Sequence, residues 1–373
     1  MATADVLIVG GGIAGLSAAS ALARHAQVIL LEAEDAIGYH SSGRSATMLH
    51  YALGDPQVRA LTLASRSFFD NPPPDFTDVP LGHRAQVLVH AREDELGALD
   101  TLDEAIAPFA QLERVDDEGI LDLCPVIRTG EGAALAGLVD RNAIRLDPHA
   151  LLQAHVRAIR RSGSDIVTNA RVASLQRQGE DWHVSTDAGA SYSAPILINA
   201  AGAWADTVAS MAGIHPIGLK PLRRTIITFD GPPGVDTSSW PFAKTVGDDL
   251  YFAPESGRLF ASPMNEDLSD PCDAQPDEYD VALAAHRVEE RTTMTVGRIH
   301  SRWAGLRTFA PDRHLVAGLD PRAEGFFWLA GQGGYGLQTS PIMAEIVESL
   351  IADTPWPIDS VSPKDLSPVR FLG

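Results

Sequence analysis

Apolar runs and a glycine turn at the start of the chain form a pattern typical of a β-strand, α-helix, β-strand unit. Four apolar residues, Val6–Val9, predict a buried parallel strand. The glycine-rich stretch 10–15 follows without a spacer, and residues 13–24, rich in Ala and Leu and free of Pro, predict a helix. A second apolar run, Val28–Leu31, predicts the next strand. This order predicts a βαβ unit of the kind that binds nucleotides.

The glycine turn and the residue that ends the second strand carry candidate chemistry. Gly10 permits a tight turn, Gly12 lets the backbone approach a pyrophosphate, and Gly15 lets helix and strand pack closely. Ala14 lies in the first helical turn, whose free N–H groups and partial positive charge suit phosphates. Glu32 stands 17 residues after Gly15, where a carboxylate accepts both hydroxyls of an adenosine ribose and repels a 2′-phosphate. We therefore predict a dinucleotide-binding site.

Two later segments repeat the change from an apolar strand to a turn of small residues. Residues 195–206 predict a strand followed by a crossover into a helix, and residues 326–330 predict another buried strand. Both segments are consistent with further strands of the same parallel sheet. The chain therefore returns to the nucleotide-binding fold twice.

The second of these returns continues into a glycine loop and a helix. The loop spans 331–336, and the helix is predicted over 339–351. Thr339 or Ser340 would cap this helix and Pro341 would occupy its first turn. The positive end of the helix would then face whatever binds in the loop.

The segments between these returns have a different character. Short apolar runs predict strands at 87–89, 225–229, 250–252 and 258–260, and residues 278–291 predict an amphipathic helix. Antiparallel hairpins inserted between pieces of a nucleotide fold indicate a discontinuous second domain. We assign residues 1–80, 145–215 and 310–373 to the cofactor-binding domain and residues 81–144 and 216–309 to the substrate domain.

Composition and charge narrow the classes of function. The 373 residues carry a formal net charge of −20, so a nucleic acid or an anionic membrane would be repelled. Cys124 and Cys272 are too few for a disulfide framework, and the His residues lack ligand spacing, so no metal is expected. The chain shows no signal-peptide pattern and no run of about 18 apolar residues. We expect a cytoplasmic protein with no nucleic-acid partner and no integral membrane segment.

Three motifs resemble the D-amino-acid oxidase superfamily of FAD enzymes across nearly the whole chain. They are VLIVGGGIAGLSAASAL at 6–22, LINAAGAWAD at 197–206 and GFFWLAGQGGYGLQTSP at 325–341. The segment GYHSSGRSA and the strings FFDNPP, WAGLRTF and GGYGLQTS are similar to those of the bacterial D-arginine dehydrogenase branch. The resemblance implies an α/β fold: a Rossmann-like, glutathione-reductase-type FAD domain with a discontinuous α+β substrate domain built on an antiparallel sheet.

The resemblance also implies which residues hold FAD. The segment 41–46 would run along the diphosphate and ribityl chain, Val172 would hold the adenine through its backbone, and the loop ending at Gln338 would pass beside the isoalloxazine ring. Taken alone, the first segment is equally a polar loop with serine turns. A helix-capping glycine turn is the alternative for the last segment, but such a turn does not need three closely spaced glycines followed by Gln338. The candidates that follow Glu32 are Ser41, Ser42, Gly43, Arg44, Ser45, Ala46, Val172, Ala201, Gly202, Trp204, Gly333, Gly334, Tyr335, Gly336, Leu337 and Gln338.

We expect FAD to be held noncovalently. No cysteine lies near the glycine loop in the sequence, which excludes the cysteinyl attachment found in sarcosine oxidases. Attachment through His40 is disfavoured by the resemblance.

An arginine pair and a tyrosine match the carboxylate clamp of the family. Arg307 matches the principal clamp residue, and Arg224 and Tyr251 match the residues that accompany it. The guanidinium fork binds a carboxylate through two charge-assisted hydrogen bonds and so fixes its orientation. Strand alternation alone does not choose between Arg223 and Arg224, and the spacing of 27 residues from Tyr251 favours Arg224.

The pocket for the substrate side chain departs from the D-arginine enzyme. Met48, His50 and Leu53 stand where that enzyme has a His, a Thr and a Tyr, and Gln86 stands nearest to its glutamate. A cationic side chain would have no carboxylate partner, so we expect uncharged D-amino acids to be preferred over D-Arg and D-Lys. His50 is either a polar pocket residue, which could accept the amine proton, or a structural histidine.

These features predict FAD-dependent oxidative deamination of a D-amino acid. Hydride would pass from Cα to flavin N5, and the imine would hydrolyse to a 2-oxo acid and ammonia. We expect the enzyme to act as a dehydrogenase, and the sequence leaves open whether a quinone or oxygen reoxidises the flavin. Two alternatives stay open: an enzyme of the same fold acting on glycine-like or secondary amines or a 2-hydroxy acid, and a flavin-binding protein without amine turnover.

Overall fold

The computed structural model describes residues 1–372, and a six-stranded sheet forms its nucleotide-binding part. The strands in spatial order are β10 (Asp165–Val167), β3 (Val28–Leu31), β2 (Val6–Val9), β14 (Ile196–Asn199), β22 (Phe326–Ala330) and β21 (Val316–Leu319). Five strands are parallel and β21 is antiparallel. Their residues are mostly apolar because both faces are covered, as is usual for parallel sheets. The βαβ unit predicted at the N-terminus is confirmed.

Helices cover one face of this sheet, and a smaller sheet covers the other. Ile8 and Leu30 belong to the core under the helices, whereas Leu7 and Ile29 belong to the core under the smaller sheet. The smaller sheet has the order β1 (Ala2–Thr3), β13 (Ser191–Ala194), β12 (Asp181–Thr186) and β11 (Val172–Gln178). The helices are α1 (Ile13–Leu22), α2 (Pro56–Asp70), α3 (Leu96–Ile106), α4 (Asp117–Leu123), α5 (Pro148–Arg161), α6 (Ala205–Met211), α7 (Glu278–Arg291), α8 (Gly336–Ala352) and α9 (Pro363–Leu366).

A nine-stranded sheet forms the second part of the molecule. Its path is β19 (Asp267–Leu268), β15 (Lys220–Phe229), β18 (Arg258–Ser262), β17 (Tyr251–Glu255), β16 (Phe242–Thr245), β6 (Val87–Arg92), β8 (Ala134–Asp140) and β7 (Glu113–Asp116), and β20 (Ile299–Phe309) also pairs with β15. The pairs are antiparallel except β16 with β6. Ile227 and Phe252 pack under α7 on one face, while Ile226, Phe242 and Tyr251 lie on the other.

A fourth sheet has three strands. It consists of β4 (Met48–Leu49), β9 (Ile144–Leu146) and β5 (Gly82–Arg84). Every strand of the nine-stranded sheet lies within 81–144 or 216–309, and every strand of the six-stranded sheet lies within 1–80, 145–215 or 310–373. Strand β9 crosses the boundary at 144/145, and the domain division inferred from the sequence stays a prediction.

Two helix boundaries differ from the sequence expectation. Helix α1 ends at Leu22 rather than at residue 24. Beyond this end, the Arg24 side chain donates a hydrogen bond to the Ala21 carbonyl. Helix α8 begins at Gly336 rather than at residue 339, so Pro341 lies inside it instead of in its first turn.

Ser340 explains why α8 tolerates this proline. Pro341 has no N–H to donate to the Leu337 carbonyl, and the Ser340 hydroxyl donates to that oxygen at 3.0 Å. Thr339 donates in the same way to the Tyr335 carbonyl at 2.9 Å. Neither residue caps the helix, because both lie within it.

Within residues 1–372, no helix combines the length and the apolar character needed to cross a membrane. The same residues contain no cluster of His, Cys, Asp and Glu side chains suited to a metal ion.

Candidate active site

One cavity of about 350 Å³ joins the glycine turn to the nine-stranded sheet. Its walls include the carboxyl ends of β2 and β3 and the N-terminal ends of α1 and α8. Strands β15, β16, β17 and β20 supply its other wall. The carboxyl ends of parallel strands are where open α/β sheets bind their ligands.

The glycine turn after β2 is built for close packing and for an anion. Gly10 has a φ of +112°, and a Cβ there would lie 2.4 Å from the Ala200 carbonyl oxygen. A Cβ on Gly15 would lie 2.0 Å from the Gly10 oxygen, so only glycine lets α1 approach this turn. Gly12 is the N-cap of α1 without a side-chain cap, and the first turn holds no acidic residue. Gly10, Gly12 and Ala14 line the cavity, and the helix N-terminus can bind phosphate there.

Two backbone donors hold the Glu32 carboxylate at the end of β3. One oxygen accepts from the Gly11 N–H at 2.7 Å and the other from the Glu34 N–H at 2.8 Å. Glu32 is buried and lines the cavity. An ionised carboxylate has further acceptor positions, so the group can still accept ribose hydroxyls in a fixed orientation.

The serine segment joins the two parts of the molecule. Ser41 donates to the Leu306 carbonyl at 2.6 Å, and Ser42 accepts from the Ile13 N–H at 2.9 Å. Both serines line the cavity, whereas Gly43 does not. The serine hydroxyls therefore fix the segment against α1 and β20.

Arg44 lines the cavity with Ser45 and Ala46, but its guanidinium has protein partners. It pairs with Asp273 at 2.6 Å and donates to the Ala304 carbonyl at 3.2 Å. Any contact of Arg44 with the cofactor is therefore expected from its backbone or its aliphatic carbons.

Residues from β11 and from the turn after β14 form the nucleotide end of the cavity. Val172, Ala201, Gly202 and Trp204 all line it. Gly202 has a φ of +56°, and a Cβ there would meet no atom within 4 Å, so the space beside it is open. Trp204 packs against His40 with ring centroids 4.6 Å apart.

The glycine loop before α8 divides into cavity-lining and buried residues. Gly333, Gly334, Gly336 and Leu337 line the cavity, as does Gln332, which the sequence analysis did not select. The Gln332 side-chain nitrogen is buried and has no hydrogen-bond partner within the described residues. It is therefore available to a ligand.

Two loop candidates lie behind the cavity wall. Tyr335 packs edge-on against Phe309, with ring centroids 6.0 Å apart. The Gln338 nitrogen donates to the Thr62 hydroxyl at 2.8 Å. Neither side chain lines the cavity, because the early start of α8 turns both into the core.

Register places Arg224 and Arg307 on the same face of the nine-stranded sheet. Arg224 of β15 is opposite Gly305 of β20, and Arg307 is two residues further along. Arg224, Arg307 and Tyr251 line the cavity, and the Arg224 guanidinium lies 5.9 Å from the Tyr251 ring. Arg223 is paired with Asp280 at 3.3 Å and does not line the cavity.

Glu266 balances part of the charge of this arginine pair. Its carboxylate lies 2.5 Å from Arg307, 3.1 Å from Arg313 and 3.7 Å from Arg224. Burial opposes ionisation of Glu266, but the hydrogen bonds and charges of these arginines lower its pKa below the ordinary value. Glu266 itself does not line the cavity.

Burial and the neighbouring charge of Arg307 lower the pKa of the Arg224 guanidinium to about 10. Two close guanidinium groups repel each other, and one partly exposed carboxylate is shared among three arginines. A ligand carboxylate on the cavity side would relieve this repulsion.

The far end of the cavity holds His50 among apolar residues. Met48 and Leu53 line it as the sequence predicts. Burial lowers the pKa of His50 to about 3, with a smaller contribution from Lys244, so the imidazole is neutral. The expectation for Gln86 is wrong, because its side-chain oxygen accepts from Arg141 at 2.9 Å and it does not line the cavity.

The chain matches the model of the DAO family, FAD dependent oxidoreductase, over residues 5–350. The chain belongs to this family. It is therefore an FAD-dependent oxidoreductase.

The curated relatives of this DAO-family chain are named for different activities. Hydrogen cyanide synthase subunit HcnC of Pseudomonas aeruginosa is 27% identical over 67% of the chain and 58% of the relative. The tRNA 5-methylaminomethyl-2-thiouridine biosynthesis bifunctional protein MnmC of Burkholderia lata is 25% identical over 100% of the chain and 60% of the relative. The chain thus spans less than two thirds of either. FAD-dependent oxidoreductase domain-containing protein 1 of Bos taurus is 26% identical, over 96% of the chain and 83% of the relative.

Solved structures share the fold over nearly the full length. L-α-glycerophosphate oxidase from Mycoplasma pneumoniae, with FAD bound, superposes with a TM-score of 0.85 at 19% identity, over 98% of this chain and 99% of the other. Glycine oxidase from Geobacillus kaustophilus superposes with a TM-score of 0.82 at 20% identity, over 98% of this chain and 99% of the other. L-proline dehydrogenase from P. horikoshii superposes with a TM-score of 0.84 at 18% identity, over 100% of this chain and 98% of the other. At these identities the likeness shows the DAO fold.

The cavity of this DAO-family chain fits FAD. The glycine turn and the N-terminus of α1, whose N-cap Gly12 has no side chain, suit the diphosphate, and Glu32 suits the adenosine ribose. The N-terminus of α8 also has no side-chain cap and no acidic residue in its first turn, so it can stabilise negative charge on a reduced flavin.

Proposed function

We propose that this protein oxidatively deaminates a D-amino acid. The observation that carries the proposal is the placement of Arg224, Arg307 and Tyr251 on one sheet face, in the cavity that also holds the dinucleotide turn. A bidentate arginine contact would hold the substrate carboxylate and so aim Cα at the flavin. The D configuration is supported by the motif resemblance to the D-arginine dehydrogenase branch.

Bound FAD supplies the hydride acceptor. The protein residues have the other tasks: Arg307 and Arg224 bind and orient the carboxylate, and the apolar wall near Leu53 excludes water. His50 is neutral at the pH of the cell and can accept a hydrogen bond from the substrate amine. The product imine then hydrolyses in water to a 2-oxo acid and ammonia, and a quinone or oxygen reoxidises the cofactor.

The same clamp accommodates other small carboxylates. Glycine oxidase and L-proline dehydrogenase, named above for their structural likeness, support glycine-like and secondary amines as an alternative substrate class. The arginine pair recognises the carboxylate alone, so a 2-hydroxy acid fits it equally well.

An anaerobic bleaching screen tests the proposal. The FAD-loaded protein is mixed without oxygen with D-amino acids, their L enantiomers, glycine, N-methylglycine, L-proline and 2-hydroxy acids, and the flavin absorbance is followed. We expect D-amino acids to bleach the flavin fastest. Faster bleaching by an L-amino acid, a secondary amine or a hydroxy acid would replace the proposal with that class. The absence of bleaching by any of these compounds would indicate flavin binding without amine turnover.

A further inference from the structure

Strand β16 places a lysine in the wall of the cavity. Phe242 and Lys244 are two residues apart, so their side chains share one face of the sheet. Tyr251 is the register partner of Lys244 on β17, and all three residues line the cavity. The Lys244 side chain is only 5% exposed. The chain has two other lysines, Lys220 and Lys364, and both are exposed.

The known contacts of Lys244 leave part of its ammonium available. Its nitrogen lies 2.5 Å from an Asp248 oxygen and 3.5 Å from the Ala52 carbonyl. Asp248 is 61% exposed and does not line the cavity. An ammonium has three donors, so one remains after these two contacts, of which the one to Ala52 is long.

His50 offers a second polar group at the same end of the cavity. Its ring centroid lies 5.9 Å from that of Phe242, and the charge of Lys244 adds a smaller contribution to burial in lowering the pKa of His50. The Nδ1 atom of His50 is buried and has no hydrogen-bond partner in the described part of the chain. A buried nitrogen of this kind costs free energy unless a ligand or a water satisfies it.

The acidic residues that line the cavity belong to its nucleotide-binding wall. Glu32 and Glu34 follow β3 at the nucleotide end. Lys244, Arg224 and Arg307 all belong to the nine-stranded sheet, and no carboxylate among residues 1–372 lines the wall that this sheet contributes. The substrate end of the cavity therefore presents cationic groups in two places, the arginine pair and Lys244, and their carboxylate partners Glu266 and Asp248 do not line it.

We propose that the substrate carries a second anionic group, a carboxylate on its side chain, which binds Lys244 and accepts a hydrogen bond from Nδ1 of His50, leaving Nε2 as the acceptor for the substrate amine. The inference rests on the proposed function for the first carboxylate, which the arginine pair holds. It replaces the expectation of an uncharged side chain, because that expectation placed Gln86 in the substrate pocket and took no account of Lys244. D-Glutamate and D-aspartate are the amino acids of this class.

Matched substrates test the inference in the wild-type enzyme. D-Glu and D-Gln have the same shape and differ in side-chain charge, as do D-Asp and D-Asn. We expect kcat/KM for the better acidic substrate to exceed that of its amide by about tenfold or more, which is typical of a charge-assisted contact. If both compounds of a pair bleach the flavin and the amide is equal or better, the inference is overturned while the proposed function stands.

Variants at Lys244 test whether this residue causes the preference for the acidic substrate over its amide. Lys244→Met removes the charge with little change in length, and we expect D-Glu turnover to fall by about 30-fold and D-Gln turnover to change by less than about threefold. Lys244→Arg should restore part of the preference. Lys220→Met removes a lysine outside the cavity and should leave both values unchanged. An equal loss for both substrates in Lys244→Met would contradict the inference.

Equilibrium binding gives a readout that does not depend on turnover. Glutarate and butyrate are titrated into the FAD-loaded protein by calorimetry. We expect glutarate to bind about tenfold more tightly, and this advantage to vanish in Lys244→Met. If no amino acid bleaches the flavin but glutarate keeps its Lys244-dependent advantage, the proposed function fails and the second anion site is supported. Equal dissociation constants for the two acids would overturn the site.

Discussion

At the residue scale, the structure explains which candidates a sequence can identify. Arg307 and Arg224 stand in motifs, and the spacing from Tyr251 selected Arg224, which is the arginine that lines the cavity. Lys244 has no motif, and a lone lysine on a strand is usually solvated. Its burial follows from the pairing of β16 between β6 and β17, which joins segments distant in sequence.

Arg307 is the residue whose removal tests the carboxylate clamp. In Arg307→Ala, we expect kcat/KM to fall by about a hundredfold, because a bidentate charge-assisted contact contributes about 2 to 4 kcal/mol to transition-state binding. FAD content should stay near one per chain, since the lost guanidinium lies at the substrate end. Steady-state kinetics and flavin absorbance measure the two quantities.

Arg302→Ala and Arg223→Ala serve as controls for this prediction, and Arg224→Ala is a second variant of the clamp. Arg302→Ala removes an arginine from the same strand that is paired with Glu278 outside the cavity, and it should leave turnover unchanged. Arg224→Ala should be impaired and Arg223→Ala much less so, because Arg223 does not line the cavity. Near-normal turnover in Arg307→Ala would exclude the clamp.

At the scale of elements, helix α1 depends on one glycine contact. The Cβ of an alanine at position 15 would lie 2.0 Å from the Gly10 carbonyl oxygen, which is backbone and has little room to move. Gly15→Ala should therefore push α1 away from β2 and weaken the phosphate site. We expect a loss of more than about 2 kcal/mol in stability, as for other overpacked sites, together with a low FAD content.

Gly97 provides a matched control for this prediction. It also lies in the first turn of a helix, at the second position of α3, and a Cβ there would meet no atom within 4 Å. Gly97→Ala should stabilise the protein by up to about 1 kcal/mol, because alanine has the higher helix propensity. Urea unfolding measures stability, and acid precipitation measures the FAD released into the supernatant. A Gly15→Ala protein with normal stability and full FAD content would disprove the packing argument.

The helices also show where a local sequence pattern is sufficient to predict the bounds of an element. The predicted helix over 278–291 has the observed bounds, because its apolar spacing and its Asp277 cap are both local. The sequence pattern predicts the start of α8 three residues late, because Thr339, Ser340 and Pro341 are residue types typical of a helix start. The interaction that decides this case is the Ser340 hydroxyl on the carbonyl that Pro341 leaves free.

At the scale of the whole molecule, the parallel sheet was predictable and the order of the larger sheet was not. Continuous apolar runs followed by small-residue turns identify β2, β3, β14 and β22 directly. The neighbours of β6 are β16 and β8, and β16 lies about 150 residues later in the chain. Such pairings depend on the packing of the complete sheet, which no local pattern encodes.

Three buried histidines predict how the stability of the whole molecule depends on pH. Burial lowers the pKa of His50 and of His155 to about 3, and that of His90 to about 4, from an ordinary value of 6.5. Above pH 6.5 these groups are neutral in both the folded and the unfolded state. Between 6.5 and the folded-state values only the unfolded chain gains their protons, so stability falls with decreasing pH by about 1.4 kcal/mol per pH unit for each histidine.

His155→Leu isolates one of these contributions. His155 lies on α5, and both of its ring nitrogens are buried without a partner among residues 1–372, so leucine removes a titrating group without breaking a hydrogen bond. Urea unfolding of the FAD-loaded protein from about pH 7 to about pH 4.5 should show a pH slope smaller than that of the wild type by about 1.4 kcal/mol per unit. His149→Leu, on an exposed position of the same helix, should keep the wild-type slope. His155 packs edge-on against Phe76, with ring centroids 5.0 Å apart. An unchanged slope in His155→Leu would mean that this imidazole becomes protonated in the folded protein near its ordinary pKa, and that the core around Phe76 admits water.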